Sequence, residues 1–237
     1  MISCITCTGN RTLAFELSQE WMKNQTLKPD EWIVVDDGNE VPKLTFPMKY
    51  IKRERQRNEP KFTMLLNLKE AVKHVNGDKI VIWEDDEYYA PNYLGVLCEK
   101  LDSYDLVGFG HSKYYHLPSG EYYQHGNEIH ASLAQTAFNK CLFDKFKEQL
   151  DSDDNFVDMR LWKNTVEKNK KKVYFDNEES LYCGMKGMPG RIGIGAGHRH
   201  NVGWYIKDID NKVLKQWIPK DYLEYLKIRE SINFDLK

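Results

Sequence analysis

Four carboxylates stand in a row at Glu84, Asp85, Asp86 and Glu87, directly after the apolar run Ile80–Trp83. Adjacent carboxylates repel one another and are a poor way to finish a strand. A divalent cation turns that repulsion into binding, because hard oxygen ligands suit Mg²⁺ or Mn²⁺. The competing reading is a solvated acidic turn. Two earlier strand ends carry groups that complement the acids. Ile2–Cys7 reads as a buried strand that delivers Thr6, Thr8 and Arg11, and Trp32–Val35 as one that delivers Asp36 and Asp37. Three successive strand ends thus offer hydroxyl, acidic and metal-binding groups on one sheet edge, where open α/β sheets place their ligands. Such an edge suits a nucleotide. An Asp accepts hydrogen bonds from a base N–H or ribose hydroxyls, and a cation binds the diphosphate. The chain has no G-x-x-x-x-G-K-[ST] loop and no G-x-G-x-x-G after the first strand, which excludes a P-loop and argues against a dinucleotide oxidoreductase.

Alternating strands and helices must position these groups. Leu13, Leu17 and Trp21 lie at four-residue spacing and predict a helix over Arg11–Asn24. Met48–Ile51 reads as a third strand. Lys61–Val75 reads as a helix with Phe62, Leu65, Leu66, Leu68 and Val72 on its inner side. Pro91 suits the start of a helix through Leu101, and Asp105–Phe109 is another strand. This order predicts an α/β fold with a mainly parallel sheet and helices on both faces. The second half is less regular. A turn at Pro118–Gly120 between aromatic-rich arms predicts a hairpin over Tyr114–His125, and Asn139 suits the cap of a helix to Leu150. A further helix is expected within Asp153–Asn169, a strand at Val173–Phe175 and a terminal helix over Pro219–Glu230. Six glycines in Gly184–Gly197 predict a shaped loop.

The totals narrow the function classes. A length of 237 residues, 41% hydrophobic and 30% charged, suits one soluble globular domain. A net charge of −2 gives no global basic field to attract nucleic acid, although Lys and Arg cluster at Lys49–Arg57 and Lys168–Lys172. No stretch is apolar for long enough to span a bilayer, and the first ten residues lack the pattern of a signal peptide. Five irregularly spaced cysteines do not form a disulfide framework, so a reducing, cytoplasmic setting is expected. Cys4 and Cys7 lie within one predicted strand with no second pair, and ordinary packing is expected of them.

The segments ISCITCTGNR, WIVVDDGN and VIWEDDEYYAPNYL resemble the amino-terminal half of a GT-A fold glycosyltransferase, similar to family two. The likeness covers about Ile2–Leu97. It implies a Rossmann-type mixed, mainly parallel sheet in a single domain, with a nucleotide-sugar-binding half at 1–110 and an acceptor-binding half at 111–237. It also implies a nucleotide-binding Asp in the Asp36-Asp37-Gly38 element, a donor-side role for Asn67, and a metal motif of the D-x-D kind. Glu84 stands where that motif has its first Asp, which makes Asp86 the main ligand and brings Glu84 closer to the nucleotide, with the division of labour among Glu84, Asp85 and Asp86 open. The family's general base sits near a helix start after this motif. Here the candidates are Asp153, Asp154 and Asp158, with Asp158 ranked ahead of Asp154 because VDMRLW matches the form of some smaller relatives. Gly184–His200 resembles the flexible carboxyl-terminal loop of the same relatives. In it Lys186 and Arg191 would neutralise a departing diphosphate, and His198, ahead of His200, would complete the metal sphere. The resemblance therefore implies Mn²⁺ or Mg²⁺, a nucleotide-diphosphate sugar donor (UDP by default) and a hydroxyl acceptor, with inversion. A glycan, a lipid-linked sugar, a protein and hydroxymethylated DNA all stay open as that acceptor; the lack of a membrane span makes a lipid less favoured, and the basic runs and aromatic-rich middle are compatible with DNA. The rivals are a nucleotidyltransferase making a nucleotide sugar and a non-catalytic nucleotide-sugar-binding module. His74, His111, His116, His125 and His130 have no ligand-like spacing, and His111 and His116 are expected at the surface.

Overall fold

The structure is a computed structural model that describes residues 1–152, 154–165, 167, 170–175, 180–191 and 203–235. Seven strands form the main sheet: β1 (Ile2–Thr8), β2 (Glu31–Asp36), β3 (Lys49–Lys52), β4 (Lys79–Ile82), β6 (Leu106–Phe109), β9 (Thr136–Asn139) and β10 (Lys171–Tyr174). Their order is β10-β6-β9-β4-β1-β2-β3. All run in one direction except β9, which lies antiparallel between β4 and β6. Both faces are covered, which explains why the strands read as continuous apolar runs. Successive side chains point to opposite faces. Cys4, Val34 and Val81 therefore join one core cluster, with Phe15 and Trp21 of α1 (Thr12–Asn24) and Leu94 and Leu97 of α3 (Tyr93–Lys100). Ile5, Ile33, Ile80 and Ile82 join the other, with Leu65 and Leu68 of α2 (Met64–Ala71), Phe146 of α4 (Phe143–Leu150) and Leu161 of α5 (Val157–Asn164).

A second sheet has the order β12-β8-β7-β11-β5, built from β5 (Tyr88–Tyr89), β7 (His111–His116), β8 (Glu121–Gly126), β11 (Tyr182–Lys186) and β12 (Ile206–Lys207). The expected hairpin is β7–β8, paired from His116–Glu121 out to His111–Gly126. α6 (Lys212–Trp217) and α7 (Tyr222–Asp235) close the chain, and Leu214, Trp217 and Tyr225 join the first core cluster. Among the described residues no helix is long and apolar enough to cross a membrane.

Several expectations change. Gly184–Lys186 is strand, not loop: β11 pairs parallel with β7 and antiparallel with β5. A Cβ at Gly184 would lie 2.5 Å from the Tyr114 ring, so this glycine marks close packing and not flexibility. Asn139 ends β9 and its side chain caps no helix; Nδ2 donates to the carbonyls of Leu101 at 2.9 Å and Tyr104 at 3.2 Å. The expected helix from Lys61 begins only at Met64, which leaves Phe62 outside it. Pro219 lies in a turn between two helices instead of in the first turn of one. Cys4 and Cys7 contact opposite core clusters, so they do not form one thiol pair.

Candidate functional site

Parallel pairing sets Thr8 beside Asp36 and Ile5 beside Ile82, so the ends of β1, β2 and β4 meet on one edge of the main sheet. The four acids form the turn that carries the chain from β4 into β5 of the second sheet. Aromatic packing anchors that turn. Trp83 stacks on Tyr89 at 3.8 Å between ring centroids, its Nε1 donates to Ser18 Oγ at 2.8 Å, and the Tyr89 hydroxyl accepts from the Glu84 N–H at 2.8 Å. Thr8 Oγ1 donates to Asp85 Oδ2 at 2.6 Å. Arg11 Nη1 lies 2.8 Å from both Asp85 Oδ1 and Asp86 Oδ2. Glu87 is tied to β11: its Oε2 accepts from the Met185 N–H at 2.8 Å, and its Oε1 pairs with Lys186 Nζ.

Burial raises the proton affinity of these acids. Glu84 is pushed up to about 7 by desolvation and then by Asp86. Burial likewise pushes Glu87 up to about 8 against the opposing pull of Lys186, and raises Asp85 against that of Arg11. Among the described residues, Arg11 pairs with Asp85 and Asp86, and Lys186 with Glu87. Glu84, Asp86 and Glu87 each offer a carboxylate oxygen, and these atoms all lie within 4.8 Å of one another. Hard oxygen donors this close together fit Mg²⁺ or Mn²⁺. Glu87 closes the acid run, and its contacts with Met185 and Lys186 of β11 hold its carboxylate at the cluster.

The other expected donor-side residues divide. Asp37 Oδ1 accepts from Arg191 Nη1 at 2.8 Å, while its Oδ2 accepts from Arg53 Nη2 at 3.0 Å and from Thr63 Oγ1. Arg191 also accepts at its carbonyl from Arg11 Nε at 2.6 Å, which stitches the start of the glycine-rich segment to the first strand end. Asn67 accepts from Arg53 Nε at 2.6 Å and faces the same edge. Gly9 leaves room for this arrangement: a Cβ there would lie 2.2 Å from Asp37 Oδ1. Asp36 and Thr6 do other work. Asp36 caps its own turn through the Gly38 N–H at 2.6 Å and accepts from the Tyr50 hydroxyl. Thr6 Oγ1 donates to the Trp83 carbonyl at 2.6 Å and accepts from Trp32 Nε1 at 2.8 Å inside the core. Neither lines the cleft that takes in Thr8 and Arg11. Lys186 is also corrected in kind: it is a buried β11 residue bound to Glu87, not a loop cation.

A cleft of about 530 Å³ runs from the acid turn to the start of α5 and takes in Thr8, Arg11, Glu84–Glu87, Asp158 and Arg191. Asp158 is half-buried on its wall, its carboxyl raised by burial, with His130 acting electrostatically on it. Burial lowers the His130 imidazole in turn, against the pull of Asp158. Asp154 is not on the wall. It precedes α5, so it shares no helical face with Asp158, and it is exposed, accepting from the Phe156 N–H at 2.8 Å and pairing with Arg160 at 3.0 Å. Asp153, His198 and His200 lie outside the described residues. His125 and His130 line the cleft and were not expected there; no spacing in the sequence marks them.

The model of glycosyl transferase family 2 matches residues 3–166, well over half of the chain. The chain belongs to that family. A Bacillus subtilis (strain 168) protein, "Uncharacterized glycosyltransferase YwdF", is 29% identical over 109 residues, which is 45% of this chain and 40% of that protein. Among solved structures, S. aureus TarS superposes with a TM-score of 0.53 at 15% identity, over 78% of this chain and 36% of that one. A mannosyltransferase from Pyrobaculum calidifontis, PcManGT, solved in complex with GDP-Man and Mn²⁺, superposes with a TM-score of 0.52 at 14% identity, over 79% of this chain and 57% of that one. The chain thus spans less than two thirds of each of these relatives. The fold is that of GT-A glycosyltransferases. In this family 2 chain the strand-end edge and the cleft stand together on one side of the main sheet.

Proposed function

We propose that this family 2 glycosyltransferase moves a sugar from a nucleotide-diphosphate sugar to an acceptor hydroxyl, with inversion. The observation that carries the proposal is the single cleft that contains both the crowded acid turn and Asp158. Residues 1–110 hold the donor and residues 111–237 the acceptor. Asp37, with Asn67 beside it, receives the base or ribose, which requires Arg191 to release the Asp37 oxygen it now holds. Freed, Arg191 lies near Arg11 and faces the diphosphate. Asp86 would be the principal ligand for Mn²⁺ or Mg²⁺, with Glu84 and Glu87 offering further carboxylate oxygens and His198 a further ligand. A bound divalent cation supplies charge stabilisation for the leaving diphosphate. Thr8 and Arg11 hold Asp85 in place behind these ligands.

Asp158 takes the proton from the acceptor hydroxyl as the oxygen attacks the anomeric carbon. Burial raises its carboxyl above the ordinary value, which makes the carboxylate a stronger base. Asp154, paired with Arg160 outside the cleft, holds the loop before α5. The known complexes of neighbours with UDP-GlcNAc and with GDP-Man support a nucleotide-sugar donor, with UDP as the default base. Five free cysteines support a reducing, cytoplasmic setting. A thermal-shift screen of UDP-, GDP- and other nucleotide sugars, with and without Mn²⁺, tests the donor site. Binding by at least one, strengthened by Mn²⁺ and lost in Asp86→Ala, is expected. No stabilisation by any of them would reject the proposal.

A further inference from the structure

We infer that the second sheet carries an aromatic platform that seats a neutral sugar ring of the acceptor beside Asp158, which makes the acceptor a glycan. The inference rests on the transferase reading of the cleft and names its acceptor. Tyr114 and Tyr123 are cross-strand partners on β7 and β8, with ring planes 9° apart and centroids at 6.4 Å. Tyr123 continues the row to His125 at 6.2 Å and 14°, and to Trp204 at 5.8 Å and 30°. All four rings line the same cleft as Asp158. Core aromatics such as Trp83 and Tyr89 are fully buried, whereas Trp204 is 51% exposed and Tyr123 half-buried. Part of their surface is therefore open to the cleft, beyond what core packing requires. The row also leads to the reaction centre, because Lys186 Nζ lies 5.4 Å from the Tyr114 ring centroid while paired with Glu87.

Nearly parallel ring faces, with His130, Asn127 and Asp158 in the same cleft, match the two needs of a sugar ring. Its C–H face is apolar and flat, and its hydroxyls require hydrogen-bonding groups at the edge. A nucleobase also stacks, but a polyanion brings phosphates. The described cations of the cleft, Arg11, Lys186 and Arg191, are each held by a carboxylate. An acid-rich cleft therefore favours the neutral ring over a DNA acceptor.

The test is an array of neutral pyranose oligosaccharides and 5-hydroxymethylated single-stranded DNA, probed with labelled protein in Mn²⁺ and UDP. Retention on neutral oligosaccharides is expected. Trp204→Ala and Tyr123→Ala should each weaken it about tenfold, the scale of losing one stacked ring, while Tyr123→Phe keeps it. Retention on DNA alone, on no oligosaccharide, or without regard to the ring substitutions would each overturn the inference. Thermal shift by nucleotide diphosphates is read in parallel on the same proteins, and its absence would reject the donor site separately. Tyr123→Phe guards against misfolding, since it preserves the ring and changes only the hydroxyl.

Discussion

Withdrawing divalent cations and raising the pH should destabilise the protein through the acid turn. Burial, and then Asp86, raises Glu84 to about 7 from an ordinary 4.5. A carboxyl raised in the folded state binds its proton more tightly there than in the unfolded chain. Its contribution is therefore fully present below about 4.5 and is lost as the pH rises through about 7. Counting one proton for the whole turn, going from about pH 5.5 to about pH 8 should remove about 2 kcal/mol. For a chain of this size that is about 4–8 °C in Tm. Thermal unfolding in EDTA at the two pH values gives the drop, and the same pair of measurements in saturating Mn²⁺ should show it largely abolished. Asp86→Asn relieves the crowding, so its metal-free Tm should depend less on pH than that of the wild type. The difference between the two proteins isolates the turn from every other titrating group. Equal pH dependence in wild type and Asp86→Asn, or no effect of Mn²⁺ on either, would refute the reasoning.

Other outcomes follow from the same geometry. Asp158→Asn should lower kcat by about 10²–10⁴-fold with donor binding intact, as measured by steady-state kinetics and calorimetry. Because burial raises Asp158, the acid limb of kcat/KM should lie above the ordinary carboxylate range; a limb at the ordinary value would count against Asp158 as base. Asp154→Ala should keep its activity and lose at most about 1 kcal/mol of stability in urea unfolding, because its pair with Arg160 is exposed. Gly9→Ala should weaken nucleotide binding in calorimetry, since its Cβ would sit 2.2 Å from Asp37 Oδ1 and must displace it.

The parallel half of the fold was legible because its strands are apolar throughout and its helices carry apolar stripes. β9 was not: four residues, Thr136–Asn139, have no length or alternation to announce a strand, and Asn139 resembles a helix cap. The second sheet was half legible. Its hairpin has a clear turn, but β11 was hidden by the glycines around it, of which Gly184 serves packing against Tyr114. In the site, the acid run and the β1 and β2 ends were readable as chemistry at strand ends. Which acid of Asp36-Asp37 caps its own turn and which one meets Arg191 is a matter of side-chain direction, and sequence spacing does not record it. Glu87 and Lys186 meet through the pairing of β5 with β11 within the second sheet, and the platform adds Trp204 to the β7–β8 hairpin. Those two contacts are long-range and have no local signal.

The most direct measurement is mass spectrometry of a neutral oligosaccharide mixture incubated with nucleotide sugars and Mn²⁺. A transferase built on this cleft predicts oligosaccharides heavier by one sugar residue, with release of the nucleoside diphosphate, in wild type and not in Asp86→Ala. Intact nucleotide sugars after incubation with the wild type, or undiminished transfer by Asp86→Ala, would contradict it.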